Sequence, residues 1–147
     1  MLGAVRRARG PEGGGGLDYN TGPTTAERLA KAHKSIDAND WAGAQRELTS
    51  MLREEPRNAE VHNMLGYVYR KGPTPNLPKA FEHYERAIYL DPKHKGAHEY
   101  IGEAYLLVGN LAKAKEHLAA LDKLCFFSCE EYRDLKKAVQ EYEARKK

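Results

Sequence analysis

From Thr25 onward, apolar residues recur at spacings of three and four, the period of a helix that buries one face. Leu29, Ala32 and Ile36 form the first stripe, behind a cap at Thr24 or Thr25. Asn39-Asp40 interrupts it, and a second helix is predicted from Trp41 to Glu55, closed by Pro56. Val61, Leu65, Val68 and Tyr69 mark a third helix, and Ala80, Tyr84, Ala87 and Ile88 a fourth that Asp91-Pro92 stops. Ala97, Ile101, Ala104 and Tyr105 outline a fifth, then Ala114, Leu118 and Leu121 a sixth. Tyr132, Leu135, Val139 and Tyr142 set a last amphipathic helix from about Cys129 to Arg145. The fold class predicted is all-α, with short polar connections that make neighbouring helices antiparallel.

One short pattern returns three times: Asp40-Trp41-Ala42-Gly43-Ala44, Asn76-Leu77-Pro78-Lys79-Ala80 and Asn110-Leu111-Ala112-Lys113-Ala114. Its alanines lie 36 and 34 positions apart, a period that marks a helical solenoid. Three helix pairs should therefore stack, and the last helix, charged away from its apolar stripe, suits the cap that such a stack needs. Small residues at Gly66, Gly102, Ala80 and Ala114 are expected where helices approach closely, with Tyr69, Tyr84 and Tyr105 filling the gaps. A stack of helix pairs builds a surface rather than a reaction centre.

These positions resemble the tetratricopeptide repeat family. Leu65, Gly66, Tyr69, Ala80, Tyr84, Ala87 and Pro92 match its signature in order. Ile101, Gly102, Tyr105, Ala114, Leu118 and Leu121 match it again, with Phe126 in place of the usual proline. The first repeat has Lys31, Ala32 and Ser35 at the leading positions and a regular second half through Ala44, Leu48, Met51 and Pro56. The resemblance implies repeats over about 25–58, 59–94 and 95–128, followed by a capping helix over 129–147. It also implies that the first helix of each pair lines a concave face that binds a peptide or protein segment. The family's groove positions fall on His33, Asn63, Tyr67, Arg70, Glu99, Tyr100 and Glu103. Tyr supplies contact area, Asn can pair with a peptide backbone, and Arg70 is expected to oppose the two glutamates. The clamp with which some members grip chaperone C-termini needs Lys, Asn, Asn, Lys and Arg. Those positions here hold Leu29, His33, Met64, Gly96 and Tyr100, so a chaperone-tail adaptor is not expected. The second repeat runs two residues long: Tyr69 to Asn76 is seven positions where Tyr105 to Asn110 is five. The excess falls in the proline-stiffened loop 71–76, on one edge of the array.

Composition narrows the function classes. Charged residues make up 31% of the 147, with a net charge of only +3, and acids alternate with bases along the helices. A nucleic-acid ligand would call for a basic stripe, so none is expected. No apolar run of about 18 residues exists to span a membrane. The histidines at 33, 62, 83, 94, 98 and 117 show no fixed pairing with a nucleophile, and Gly13–Gly16 lacks the Lys-Ser/Thr of a phosphate loop. No enzyme, cofactor or metal is expected. His62 and His98 share one repeat position, which suggests helix packing. Residues 1–24, rich in glycine and poor in apolar side chains, are expected to be disordered. Arg6, Arg7 and Arg9 precede no apolar stretch of a secretory signal, so the chain reads as cytoplasmic as written.

The run Cys125-Phe126-Phe127-Ser128-Cys129-Glu130-Glu131-Tyr132 stands apart. Ser128 and Glu131 have capping-box spacing, which places a helix start near Cys129, where a thiol feels the helix dipole. Three readings stay open for the two cysteines: a disulfide, inert thiols, or a redox or metal function. The stretch from Ala97 through Leu135 also resembles small bacterial tetratricopeptide proteins that carry export signals, which would place the pair in the periplasm. Two functions follow. The first is a non-catalytic scaffold that binds a protein or peptide in the groove, with self-association open to it. The second is a thiol-dependent role at Cys125 and Cys129.

Overall fold

The computed structural model describes residues 22–146; of the segment expected to be disordered, residues 1–21 lie outside the described part. Seven helices follow in order: α1 (Thr25–Asp37), α2 (Trp41–Glu54), α3 (Ala59–Lys71), α4 (Leu77–Leu90), α5 (Lys95–Leu107), α6 (Leu111–Leu124) and α7 (Glu130–Arg145). No strand occurs among the described residues. The pairs α1/α2, α3/α4 and α5/α6 stack, so that α3 packs on α2 and α5 packs on α4. In addition α5 touches α3 directly, and α7 packs on both α5 and α6. Thus α7 occupies the place of a fourth pair's first helix.

The repeated pattern is a helix start. Asp40, Asn76 and Asn110 are the N-caps of α2, α4 and α6, and their side chains accept from the backbone N–H of Gly43, Lys79 and Lys113 at 2.9, 3.1 and 3.1 Å. The alanine four residues after each cap, Ala44, Ala80 or Ala114, is fully buried. Each cap residue also donates its own N–H to the carbonyl at one repeat position, that of Ser35, Tyr69 or Tyr105. The tight version of this turn needs a positive φ just before the cap, found at Asn39 (60°) and Gly109 (79°). The longer loop 71–76 closes on the same Tyr69 carbonyl at 2.8 Å and needs no such residue. It adds length without disturbing the pair. On α1, Thr24 and Glu27 form a reciprocal capping box.

Helix spacing is set where side chains are missing. A Cβ on Gly66 would sit 2.5 Å from the Tyr84 ring of α4, and one on Gly102 would sit 2.7 Å from Leu135 of α7. The same repeat position therefore admits a different neighbour in each case. Tyr84 is fully buried, whereas Tyr69 and Tyr105 are half-buried and lie nearly parallel to the rings of His83 and His117, at interplanar angles of 8° and 14°.

Those histidines belong to two equivalent pairs. His62 Nδ1 lies 3.1 Å from His83 Nδ1, and His98 Nδ1 lies 3.0 Å from His117 Nδ1. The Nε2 atoms of His62 and His98 face the carbonyls of Pro56 and Pro92 at 3.0 and 2.8 Å. A carbonyl only accepts, so His62 and His98 carry their proton on Nε2, and His83 and His117 donate from Nδ1. This arrangement ties each pair's two helices together and to the proline that ends the preceding repeat. It works with neutral rings. Burial, reinforced by the neighbouring imidazole, lowers the His83 pKa and takes that of His117 down to about 4; burial also lowers that of His62.

Replacing Gly66 with leucine, or Ala80 with leucine, should overpack these contacts and cost about 1–3 kcal/mol. Urea titration reads the loss, and unchanged midpoints for both variants would contradict the packing described. The histidine pairs predict acid sensitivity. The folded pKa values of His62, His83 and His117 lie below the unfolded value of about 6.5, so the unfolded chain binds more protons below that pH. Stability from these groups is complete above about pH 6.5 and is lost as the pH falls toward their folded values. The His117→Gln variant keeps a donor but does not titrate, so its melting temperature should fall less steeply between about pH 7 and about pH 5. Equal slopes for the two proteins would rule out this source of acid lability.

Candidate functional site

A groove of about 420 Å³ runs along the first helices of the pairs. His33, Ile36 and Asp37 of α1 form one wall, and Glu60, Asn63, Met64 and Tyr67 of α3 form the floor. Next come His94, Gly96, Glu99 and Tyr100 at the start of α5. Glu130, Glu131 and Asp134 from the first two turns of α7 make the far wall. Helical spacing explains the set, since residues three and four apart share a face.

Five of the seven groove residues expected from the sequence line this cavity: His33, Asn63, Tyr67, Glu99 and Tyr100. The other two, Arg70 and Glu103, sit beside it as an ion pair at 3.1 Å. Arg70 is only 9% exposed, and its Nε donates to the Tyr84 hydroxyl at 3.2 Å. Its guanidinium carbon lies 5.5 Å from the ring centroids of both Tyr67 and Tyr100, whose rings are themselves 5.0 Å apart. Arg70 does not oppose both glutamates, as the sequence led us to expect. It engages Glu103 and the tyrosines, and Glu99 hydrogen-bonds Glu103 instead.

Glu99 is consequently a buried carboxyl among carboxylates. Burial, the hydrogen bond to Glu103, and the charges of Glu103, Asp134 and Glu131 all hold its pKa well above the usual carboxylate range. Tyr100 is pushed upward as well, by burial and then by Glu99. Among the described residues no ion pair involves Glu99, Glu130, Glu131 or Asp134. At the opposite end Glu60 has imidazoles beside it: His94 Nε2 at 2.7 Å and His33 Nε2 at 4.0 Å. His94 caps α5 by accepting from the Ala97 N–H at its Nδ1, so its Nε2 carries the proton given to Glu60. The bond to Glu60 raises the His94 pKa, yet a proton on Nδ1 would break the cap. Charge and cap exclude each other there.

The floor holds one unsatisfied atom. Asn63 is 3% exposed, and its Oδ1 has no hydrogen-bond partner, alone among the buried side-chain polar atoms of the described residues. Leaving such an acceptor unpaired costs about 1–3 kcal/mol. Gly96 lies against it: a Cβ there would come 3.1 Å from the Asn63 amide nitrogen.

Sequence reasoning missed Asp37, Glu60 and His94, and above all the acidic turn of α7. Glu130, Glu131 and Asp134 read as the charged outer side of a cap, and the available signal was that helix's place in the stack, where its start meets the groove. The start of α7 also differs from expectation. Cys129, not Ser128, is the N-cap, and no side chain completes the cap. Ser128 falls one residue outside the helix, and its carbonyl accepts from the Arg133 guanidinium. The Cys125 and Cys129 sulfurs are bonded, with Cα atoms 5.6 Å apart, so neither presents a thiol to the helix dipole. Phe126 and Phe127 project from that small ring, 98% and 90% exposed. No group of three or more metal-ligating side chains occurs among the described residues. No described helix is long and apolar enough to cross a membrane.

No protein-family model matches the chain. The anaphase-promoting complex subunit CDC16 of Saccharomyces cerevisiae is 29% identical over 101 residues, which is 69% of this chain and 12% of that protein. The chain thus spans about an eighth of that relative's length. Among solved structures, the TPR2B domain of yeast Sti1 in complex with pHsp70 superposes with a TM-score of 0.69 at 20% identity. The match covers 82% of this chain and 96% of that one. The type III secretion translocator chaperone SycD of Yersinia enterocolitica gives 0.70 at 14% identity, over 82% and 84%.

The state of Glu99 is testable. An unfolded glutamate ionises above about pH 4.3, while the folded one stays protonated to a higher pH, so its contribution to stability falls as the pH rises. Glu99→Gln keeps the hydrogen bond and cannot ionise. It should melt at about the wild-type temperature near pH 4 and above it near pH 8. A difference between the two proteins that does not grow with pH would show that Glu99 is an ordinary carboxylate.

Proposed function

We propose, from the tetratricopeptide-repeat fold of this chain, that it is a non-catalytic scaffold holding a segment of another protein in the groove of α1, α3, α5 and α7. The observation that carries this reading is the groove floor, where the half-buried rings of Tyr67 and Tyr100 flank the buried, unpaired carbonyl of Asn63. Aromatic area with a single fixed polar group suits a peptide, whose backbone offers an N–H at every non-proline residue. Fold neighbours support the choice, since the Sti1 domain was solved with pHsp70 and SycD is a translocator chaperone. Histidine, asparagine, tyrosine and glutamate here bind and orient, and no serine, threonine, cysteine or lysine lines the groove. His33, Asn63, Tyr67, Glu99 and Tyr100 contact the ligand in this reading. Arg70 and Glu103 hold the tyrosines from behind.

Selection from a random peptide library displayed on phage tests the proposal. Retained peptides should compete with one another for one site and shift backbone amide resonances of α1, α3 and α5. Tyr67→Ala should weaken them on the order of tenfold or more, with far-ultraviolet circular dichroism confirming the fold. Peptides that bind elsewhere, or binding unaffected by Tyr67→Ala, would overturn the groove as the site.

A further inference from the structure

The groove's charge is opposite to that of the chain. The whole sequence carries +3, yet the charged residues that α5 and α7 bring to the groove are all acids: Glu99, Glu130, Glu131 and Asp134. No lysine or arginine lines the groove. Arg70 is buried against Glu103 and Tyr84. His94 and His33 face Glu60 at the other end. Two of the acids, Glu130 and Glu131, lie in the first turn of α7. Beside this wall lies an independent feature, the buried Asn63 Oδ1, which only a donor can satisfy. A ligand rich in donors and positive charge answers both demands, and an acidic one answers neither.

We infer that the groove takes an extended peptide segment bearing lysine or arginine, its cation placed among Glu99, Glu131 and Asp134 and one of its N–H groups donating to Asn63. The inference rests on the groove being the binding site. The chain offers such a cation a stem path as well as a charge: Met64, Tyr67 and Tyr100 line the floor, where a methylene stem packs while its head reaches the carboxylates. Cation binding also relieves Glu99, whose pKa is held high by burial, the hydrogen bond to Glu103 and the neighbouring negative charges. Opposite charge at the rim steers association, so the binding is salt-dependent.

The experiment uses the full chain and a degenerate library of peptides acetylated and amidated at their ends, so that side chains alone supply charge. The retained pool should be enriched in lysine or arginine. The enrichment should fall on the order of tenfold in Glu99→Gln/Glu131→Gln/Asp134→Asn, and to a lesser extent in the double variant Glu131→Gln/Asp134→Asn. The double variant touches only the first two turns of α7 and guards against misfolding of the triple. Asn63→Ala should weaken every retained peptide without altering the preference for basic residues. A pool enriched in apolar or acidic side chains, still dependent on Tyr67, would overturn this inference and leave the groove reading standing. Basic enrichment that survives both α7 variants would overturn it too. A library from which nothing Tyr67-dependent is retained would remove both.

Discussion

Close approach of helices at positions with little or no side chain governs everything else in this molecule. Ala44, Ala80 and Ala114 are fully buried four residues after their caps, and Gly66 and Gly102 leave room that Tyr84 and Leu135 occupy. With larger residues at these sites the pairs would spread, because a packed interior has no slack to absorb a methylene. The consequence reaches the groove directly. Leu135 lies against Gly102, which draws α7 onto α5 and turns its acidic first two turns toward the groove. Glu130, Glu131 and Asp134 of α7 thereby line one side of the groove.

The groove then combines two costs that folding alone leaves standing. Asn63 keeps an unpaired carbonyl in a place nearly closed to solvent, and burial among carboxylates holds the Glu99 pKa above that of an exposed glutamate. Both sit on first helices and both face the cavity. Polar groups in the interior of the array are treated otherwise. The histidine pairs match donor to acceptor down to the proline carbonyls, and Arg70 satisfies Glu103 and Tyr84 together. Satisfied networks hold the repeats, and the one unsatisfied buried side-chain atom among the described residues belongs to Asn63, which lines the groove.

The seven helices were legible in the sequence because apolar spacing, caps and breakers agree at the boundaries of the three helix pairs. Asp40, Asn76 and Asn110 announce their helices through their side-chain chemistry, and the structure uses them so. The loop 71–76 could be placed because Tyr69 and Asn76 keep their repeat roles across it. Less was legible of the groove. Repeat arithmetic assigns residues to helix faces, which brought Asn63, Tyr67 and Tyr100 together. It is silent on which of several charges pair, since that depends on distances between helices, so the Arg70–Glu103 choice was out of reach. The role of Glu130, Glu131 and Asp134 was hidden for a related reason. A helix after the last repeat has no register to inherit, and only its docking on Gly102 shows which side faces in. At Cys129 the one-residue shift of the cap from Ser128 lies within the ordinary uncertainty of helix ends.

The most direct test of the central claim is a crystal structure of the full chain with one library-selected peptide bound. The account predicts the peptide lying across α1, α3, α5 and α7, with an N–H of the ligand within about 3.2 Å of Asn63 Oδ1 and a lysine or arginine head beside Glu99. A peptide seated on the second helices or the Phe126–Phe127 tip, with the Asn63 carbonyl still unpaired, would contradict it.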